Sequence, residues 1–134
     1  MPATYALRFM RIDNQAKIVI NQADVWASPV IHHDPPNLDI PPVPLDGFLQ
    51  PGKNLVQVQC LNVDGLGQNP WHIQYEIIMK GHSAGIVDRS GPHIKMKDYG
   101  VKIIIEHRFV WPFRDDLEDK PSELISNLVG DISE

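Results

Sequence analysis

His32-His33-Asp34 is the densest run of metal-ligating side chains in the sequence. Neighbours in an extended chain point to opposite sides, so the two imidazoles cannot grip one ion together, and a third ligand would have to come from His72, His82, His93 or His107. We read them as loop histidines and expect no metal and no cofactor. Asp64-Gly65-Leu66-Gly67-Gln68-Asn69 has the Asp, Gly and Asn of a calcium loop. It lacks the alternating carboxylates and the closing Glu, so a hairpin turn is the expectation. Ser28, Ser83 and Ser90 have no nucleophile-elbow context. Cys60, the single cysteine, falls mid-strand on an apolar row, where a thiol is buried and unreactive. His107 also falls on an apolar row and is expected to be a hydrogen-bonded core histidine rather than a general base. No catalytic residue is expected.

Recognition is better served than catalysis. Five of the 12 prolines lie between His32 and Asp46, which excludes a helix and a central strand there. A long ordered loop or a polyproline-like segment crossing the sheet remains. On one reading it is a strap whose Leu38, Ile40, Val43 and Leu45 pack on the core. On the other it borders a binding surface made of Trp26, His32, His33, Asp34, Asp39 and Asp46. Trp26 opposes Val25 and Ala27 on its strand and is expected to be the exposed tryptophan, whereas Trp71 and Trp111 fall on apolar rows and belong to the core. The mixture of prolines, aliphatics and carboxylates suits a protein partner better than a carbohydrate, which needs several exposed aromatics with planar polar side chains.

The elements that must position these residues are strands. Pro51-Gly52 suits the centre of a type II turn, and from Asn54 the residues Val56, Val58 and Cys60 alternate with Gln57 and Gln59. Trp71, Ile73, Tyr75, Ile77 and Met79 alternate with His72, Gln74 and Glu76, so the two segments read as an antiparallel pair. Val101 to Trp111 is the strongest strand signal, with Ile103, Ile105, His107 and Phe109 on one face. Tyr5 to Met10 and Ala16 to Asn21 read as earlier strands, separated by an Asp13-Asn14 turn pair. Ala23 to Ile31 continues extended until Pro29. Ile86 to Gly100 reads as a hairpin or an irregular connection. Leu124, Ile125, Leu128, Val129 and Ile132 take a helical spacing, with Pro121 before and Gly130 after, which predicts one short helix near 121–130.

A chain of 134 residues with 43% hydrophobic and 22% charged residues fits one globular domain over residues 1–134. The net charge of −5 and the lack of Lys/Arg clusters exclude nucleic acid as a partner. No apolar run is long enough to span a bilayer and no signal peptide is apparent, so no membrane partner and a cytoplasmic home are expected. The fold class expected is all-β, a two-sheet antiparallel β-sandwich of the jelly-roll or immunoglobulin type with one short C-terminal helix.

Leu45-Asp46-Gly47-Phe48-Leu49-Gln50-Pro51-Gly52-Lys53-Asn54-Leu55-Val56-Gln57-Val58, followed by Leu61-Asn62 and a Gly-containing loop, resembles the turn that leads into a core strand in galactose-binding-like jelly rolls. Those modules include the sugar-binding domain of family 2 glycoside hydrolases. Val19-Ile20-Asn21-Gln22 matches the family's preceding strand end, except that Gln22 stands where Gly is usual. The resemblance covers residues 16–79. It implies a jelly-roll fold with ligand loops at one end of the sandwich, and the family's calcium site has no diagnostic counterpart here. The expected function is a non-catalytic binding module that meets a protein partner, with carbohydrate second. The alternatives are a structural subunit of a phage or secretion assembly, for which an oligomer is expected, and a small metal-dependent enzyme using the histidines.

Overall fold

Period-two alternation of apolar and polar residues builds the whole fold. The computed structural model describes residues 4–31, 35–62, 70–93, 100–111 and 125–127. Among them are nine strands: β1 (Tyr5–Asp13), β2 (Gln15–Ile20), β3 (Ala23–Ala27), β4 (Val43–Pro44), β5 (Gly52–Asn62), β6 (Pro70–Met79), β7 (His82–His93), β8 (Gly100–Trp111) and β9 (Ile125–Asn127). They form two antiparallel sheets, one in the order β4-β1-β6-β7 and the other in the order β3-β2-β5-β8-β9. The expected all-β sandwich is the fold.

The inward rows meet between the sheets. Tyr5, Leu7, Phe9, Ile12, Ile73, Tyr75 and Ile77 come from one wall, and Ile18, Ile20, Val56, Val58, Cys60, Ile105 and Phe109 from the other. Burying such side chains is worth about 1.5–3 kcal/mol each, which makes the alternation itself the main source of stability. Two aromatic hydroxyls stitch the walls together. Tyr5 Oη donates to the Val110 carbonyl at 2.9 Å, and Tyr75 Oη lies 2.6 Å from His107 Nε2. Cys60 is buried, with its thiol directed at the Asp13 carbonyl at 3.4 Å. Trp71 is also buried, and Gly91 on the neighbouring strand is kept small by its indole, which a Cβ there would overlap.

Three expectations are corrected. The Leu55–Cys60 and Trp71–Met79 segments are strands as expected, but they are not a pair. β5 lies between β2 and β8, and β6 between β1 and β7. The Asp64–Asn69 segment expected to be a hairpin turn lies outside the described residues. Alternation says which face of a strand is buried, and two strands facing each other across a core satisfy it as well as two strands side by side. The expected C-terminal helix is contradicted at Ile125–Asn127, which pairs antiparallel with Ile104–Glu106. Ile, Ser and Asn are indifferent helix formers, and the edge of β8 offers them a ladder of backbone partners. The rest of 121–130 lies outside the described residues. Finally, of the Ile86–Gly100 segment expected to be a hairpin or an irregular connection, residues 86–93 belong to one strand, β7, and residues 94–99 lie outside the described residues.

The Asp13-Asn14 pair is also more than a turn. β1 ends at Asp13, Asn14 bridges to Ile31, and Gln15 opens β2 in the opposite sheet. The sheet edges are blunted. β4 carries Pro44, and β7 points Arg89 inward opposite Ile73, so neither presents a flat apolar template to another strand.

Candidate binding surface

The two ends of the sandwich differ. At one end, the tight-turn end, Asn21-Gln22 joins β2 to β3, Lys80-Gly81 joins β6 to β7, and Pro51 precedes β5, while β8 also ends there, at Trp111 opposite Gly52, and the next strand opens only at Ile125. At the other, long-loop end, β3 stops at Ala27, β5 at Asn62 and β7 at His93, and the next strands open only at Val43, Pro70 and Gly100. Here Asp13, Asn14, Asn62 and Lys102 are buried polar side chains.

The proline-rich segment runs from the long-loop end to the tight-turn end. It is pinned first at Ile31, whose amide donates to the Asn14 carbonyl at 2.6 Å and whose carbonyl accepts from Asn14 Nδ2 at 3.2 Å. It is pinned again where Val43 and Pro44 pair with Leu7 and Ala6 and the Leu45 amide donates to the Tyr5 carbonyl at 2.9 Å. Between these points Leu38 and Ile40 pack on the core, and Val43 and Leu45 are fully part of it. The segment is a strap, as the first of the two readings holds. Its outward side is a run of exposed residues: Pro36, Asn37, Asp39, Pro41, Pro42 and Pro44.

The six residues singled out in the sequence fare differently. Asp39 is exposed on the strap. Asp46 is half-buried and engaged, accepting from the Thr4 amide at 2.6 Å and the Tyr5 amide at 2.9 Å, so its carboxylate anchors the start of β1. Trp26, expected to be exposed, turns inward onto the core. It is half-buried and stacks on Phe9 with ring centroids 5.0 Å apart and planes 10° from parallel. His32, His33 and Asp34 lie outside the described residues, directly after the Ile31 anchor.

At the tight-turn end the side chains are occupied by structure. Gly52 has φ +97, as a type II turn requires. Asn54 is buried and closes that turn, accepting from the Gln50 amide at 2.8 Å and donating to the Gln50 and Gly52 carbonyls at 2.9 and 3.1 Å. Its Oδ1 also accepts from Asn21 Nδ2 at 2.8 Å, and Asn21 Oδ1 accepts from the Leu55 amide at 2.9 Å. The β2–β3 turn and the start of β5 are thereby locked to one another. Asn21 and Gln22 take φ values of 51 and 72, the pair of positive angles that a type I′ hairpin turn demands. Gln22 is exposed, so its side chain gains no packing in return for that conformation. Gln22→Gly is expected to raise unfolding stability by about 1 kcal/mol in urea denaturation, and a neutral or destabilising result would show that φ 72 costs this chain nothing.

The titratable groups of the core are sealed. Burial drives the His107 pKa down to about 4 and the Tyr75 hydroxyl upward, so the imidazole is neutral and the phenol protonated at neutral pH. His107 and Cys60 have no solvent access for a substrate. On the outer face of the β1–β6–β7 sheet, His72 Nε2 and Asp88 Oδ1 stand 2.7 Å apart, and Arg8 binds Glu76 through Nε and Nη2 at 3.0 and 2.9 Å. Such exposed pairs are worth about 0–1 kcal/mol and decorate a solvated face. Among the described residues no three His, Cys, Asp or Glu side chains gather where they would hold a metal ion, and no helix is long and apolar enough to cross a membrane.

The sequence reading missed the outward proline ridge. Its signal was present in the spacing of Pro41-Pro42-Val43-Pro44. No family model, no curated protein and no solved structure matches this chain.

Proposed function

We propose that this domain is a non-catalytic binding module that recognises a protein partner through the strap and the long loops at the end where the strap begins. The observation that carries this reading is the division of the strap into two sides. Leu38, Ile40, Val43 and Leu45 hold it to the core while Pro36, Asn37, Asp39, Pro41 and Pro42 face solvent. A segment pinned at both ends and rich in proline has little conformational entropy left to lose on binding. Trp26, the one tryptophan expected to be free for stacking on a sugar ring, is engaged by Phe9, which favours a protein over a carbohydrate. The blunted edges of β4 and β7 weigh against assembly by strand addition.

The galactose-binding-like resemblance belongs to the same proposal. It is supported by the turn at Pro51-Gly52, by the coupling of Asn54 to Asn21, and by the positive φ of Gln22 where that family places glycine. A module of that kind reads its ligand with loops at one end of the sandwich.

The test uses the full chain as bait. Asn37→Lys with Asp39→Lys is expected to leave the melting temperature unchanged and to weaken capture of a partner at least about tenfold, a loss of about 1.4 kcal/mol. Arg108→Ala, on the exposed outer face of β8, should capture it normally. Equal loss in both variants, or normal capture by the Asn37/Asp39 variant, would place the binding surface elsewhere.

A further inference from the structure

We propose that Tyr75 and His107 form a proton-coupled one-electron redox site, connected to the protein surface at Trp26 and Trp111 by an unbroken file of aromatic rings. This activity is independent of partner binding. The file starts at Trp26, half-buried on β3, and passes through Phe9, Tyr75, His107, Phe109 and Tyr5 to Trp111, half-buried at the end of β8. Successive ring centroids lie 5.0, 5.5, 5.8, 6.3, 4.7 and 6.5 Å apart. Every step falls within the range of aromatic contact, about 4.5–7 Å. Trp26, Tyr75, Tyr5 and Trp111 supply indoles and phenols, the aromatic rings most readily oxidised by one electron. The oxidant such rings answer to is an oxygen-centred radical or a high-valent metal complex. Electrons tunnel between rings in contact, so a reagent that never enters the core can oxidise a sealed residue within it.

Tyr75 has a base within reach. Its Oη lies 2.6 Å from His107 Nε2, and both side chains are buried. Tyr75 is the donor in this bond. Were the hydrogen on Nε2, the Tyr75 hydroxyl hydrogen and the Nδ1 lone pair would both lack a partner among the described residues, whereas with Tyr75 donating only Nδ1–H does. Tyr5 Oη, by contrast, donates to the Val110 carbonyl at 2.9 Å, an oxygen too weakly basic to take the proton. Burial raises the phenol pKa and lowers that of the imidazole to about 4, so at neutral pH Tyr75 keeps its proton and Nε2 keeps its lone pair. The phenol therefore does not ionise alone, and its proton leaves only with an electron. On oxidation one electron passes along the file to the oxidant, the Tyr75 O–H bond breaks, and the proton forms an N–H bond at His107 Nε2. The products are a neutral tyrosyl radical and an imidazolium. A phenol radical cation is a far stronger acid than an imidazolium, so the transfer is downhill even in a core that disfavours the charged ring. When the electron returns, the proton goes back and both residues are neutral again. The pair sits between Phe9 and Phe109 without solvent contact, which shields the radical from reagents that would consume it.

The experiment photolyses the full chain with ruthenium(II) tris(bipyridine) and persulfate, a pair that generates a one-electron oxidant in solution. Transient absorption gives the rate, and electron paramagnetic resonance of freeze-quenched samples identifies the radical. The expected product is a neutral tyrosyl radical that forms more slowly in heavy water. Tyr75→Phe should abolish this signal and leave the hole on tryptophan. His107→Leu should slow tyrosyl formation at least about tenfold and remove the solvent isotope effect, a change that lost packing alone would not produce. Trp26→Phe with Trp111→Phe keeps the rings in file but removes the surface indoles, and should also slow formation at least about tenfold. Thermal unfolding confirms the fold of each variant, and should His107→Leu fail to fold, Tyr75→Phe and the tryptophan pair decide. A tyrosyl signal that survives Tyr75→Phe, or an unchanged rate and isotope effect in His107→Leu, overturns the inference. An unchanged rate in the tryptophan double variant overturns the connection to the surface.

Discussion

Asn54→Ala is expected to lower the unfolding free energy by about 3 kcal/mol, because the buried side chain makes four short hydrogen bonds, each worth about 0.5–1.5 kcal/mol net. The substitution orphans the Gln50 amide and Asn21 Nδ2, both of which donate to Asn54 Oδ1 at 2.8 Å. It also strips the Gln50 and Gly52 carbonyls of their donor. For a domain of this size the loss corresponds to a fall in melting temperature of about 10 °C. Asn54→Asp should not rescue it. The new carboxylate keeps the acceptor but sets a second oxygen against the carbonyls that the amide nitrogen now serves. A loss below about 1 kcal/mol in chemical denaturation would mean that the turn holds β5 without this side chain.

Acidification is expected to remove about 3 kcal/mol through His107 alone, at 1.36 kcal/mol for each pH unit between its two pKa values. Burial holds the folded pKa near 4, below the ordinary value of 6.5. The native state therefore binds fewer protons than the unfolded chain across that interval. The stabilisation is fully present above pH 6.5 and is lost as the pH falls to about 4. His107→Leu isolates the effect. The variant has its own cost, since Tyr75 loses its partner at 2.6 Å, but the difference in stability between parent and variant should shrink steadily from pH 7 to pH 4. Parallel stability curves across that range would refute the assignment. Glu76 adds little, because its carboxylate, held low mainly by the Ser83 hydroxyl, lies at the surface.

The strands were legible wherever one face is buried. Val56, Val58 and Cys60 against Gln57 and Gln59, and Ile103, Ile105 and Phe109 against Ile104 and Glu106, name their inner faces without help from the structure. Which sheet each strand joins was not legible, because β5 and β6 show the same alternation while facing each other. Ile125–Asn127 was misread because Leu124, Ile125 and Leu128 satisfy a helical spacing, and the competing edge of β8 is invisible in a local window. Of the candidate site, the choice between strap and exposed loop turned on Leu38, Ile40, Val43 and Leu45, whose aliphatic character was plain. Asp46 could not be assigned from sequence, since the amides it caps, at Thr4 and Tyr5, lie 42 and 41 residues away. The role of Trp26 was hidden for the same reason: its partner Phe9 belongs to the opposite sheet.

The separation of β5 from β6 has a kinetic consequence. Tyr5 finds its strand partner at Met79, and Val58 finds one of its own at Ile105. Folds dominated by such distant pairings close slowly, on the order of milliseconds to seconds, since the entropy of each large loop must be lost before contacts reward it. During synthesis the β2–β3 hairpin, its docking on β5 and the short β1–β4 pairing can be complete once Asn62 has emerged. Leu7, Phe9 and Ile12 of β1 have no neighbouring β6 at that stage, so this wall of the core stays unfinished until Met79 has emerged.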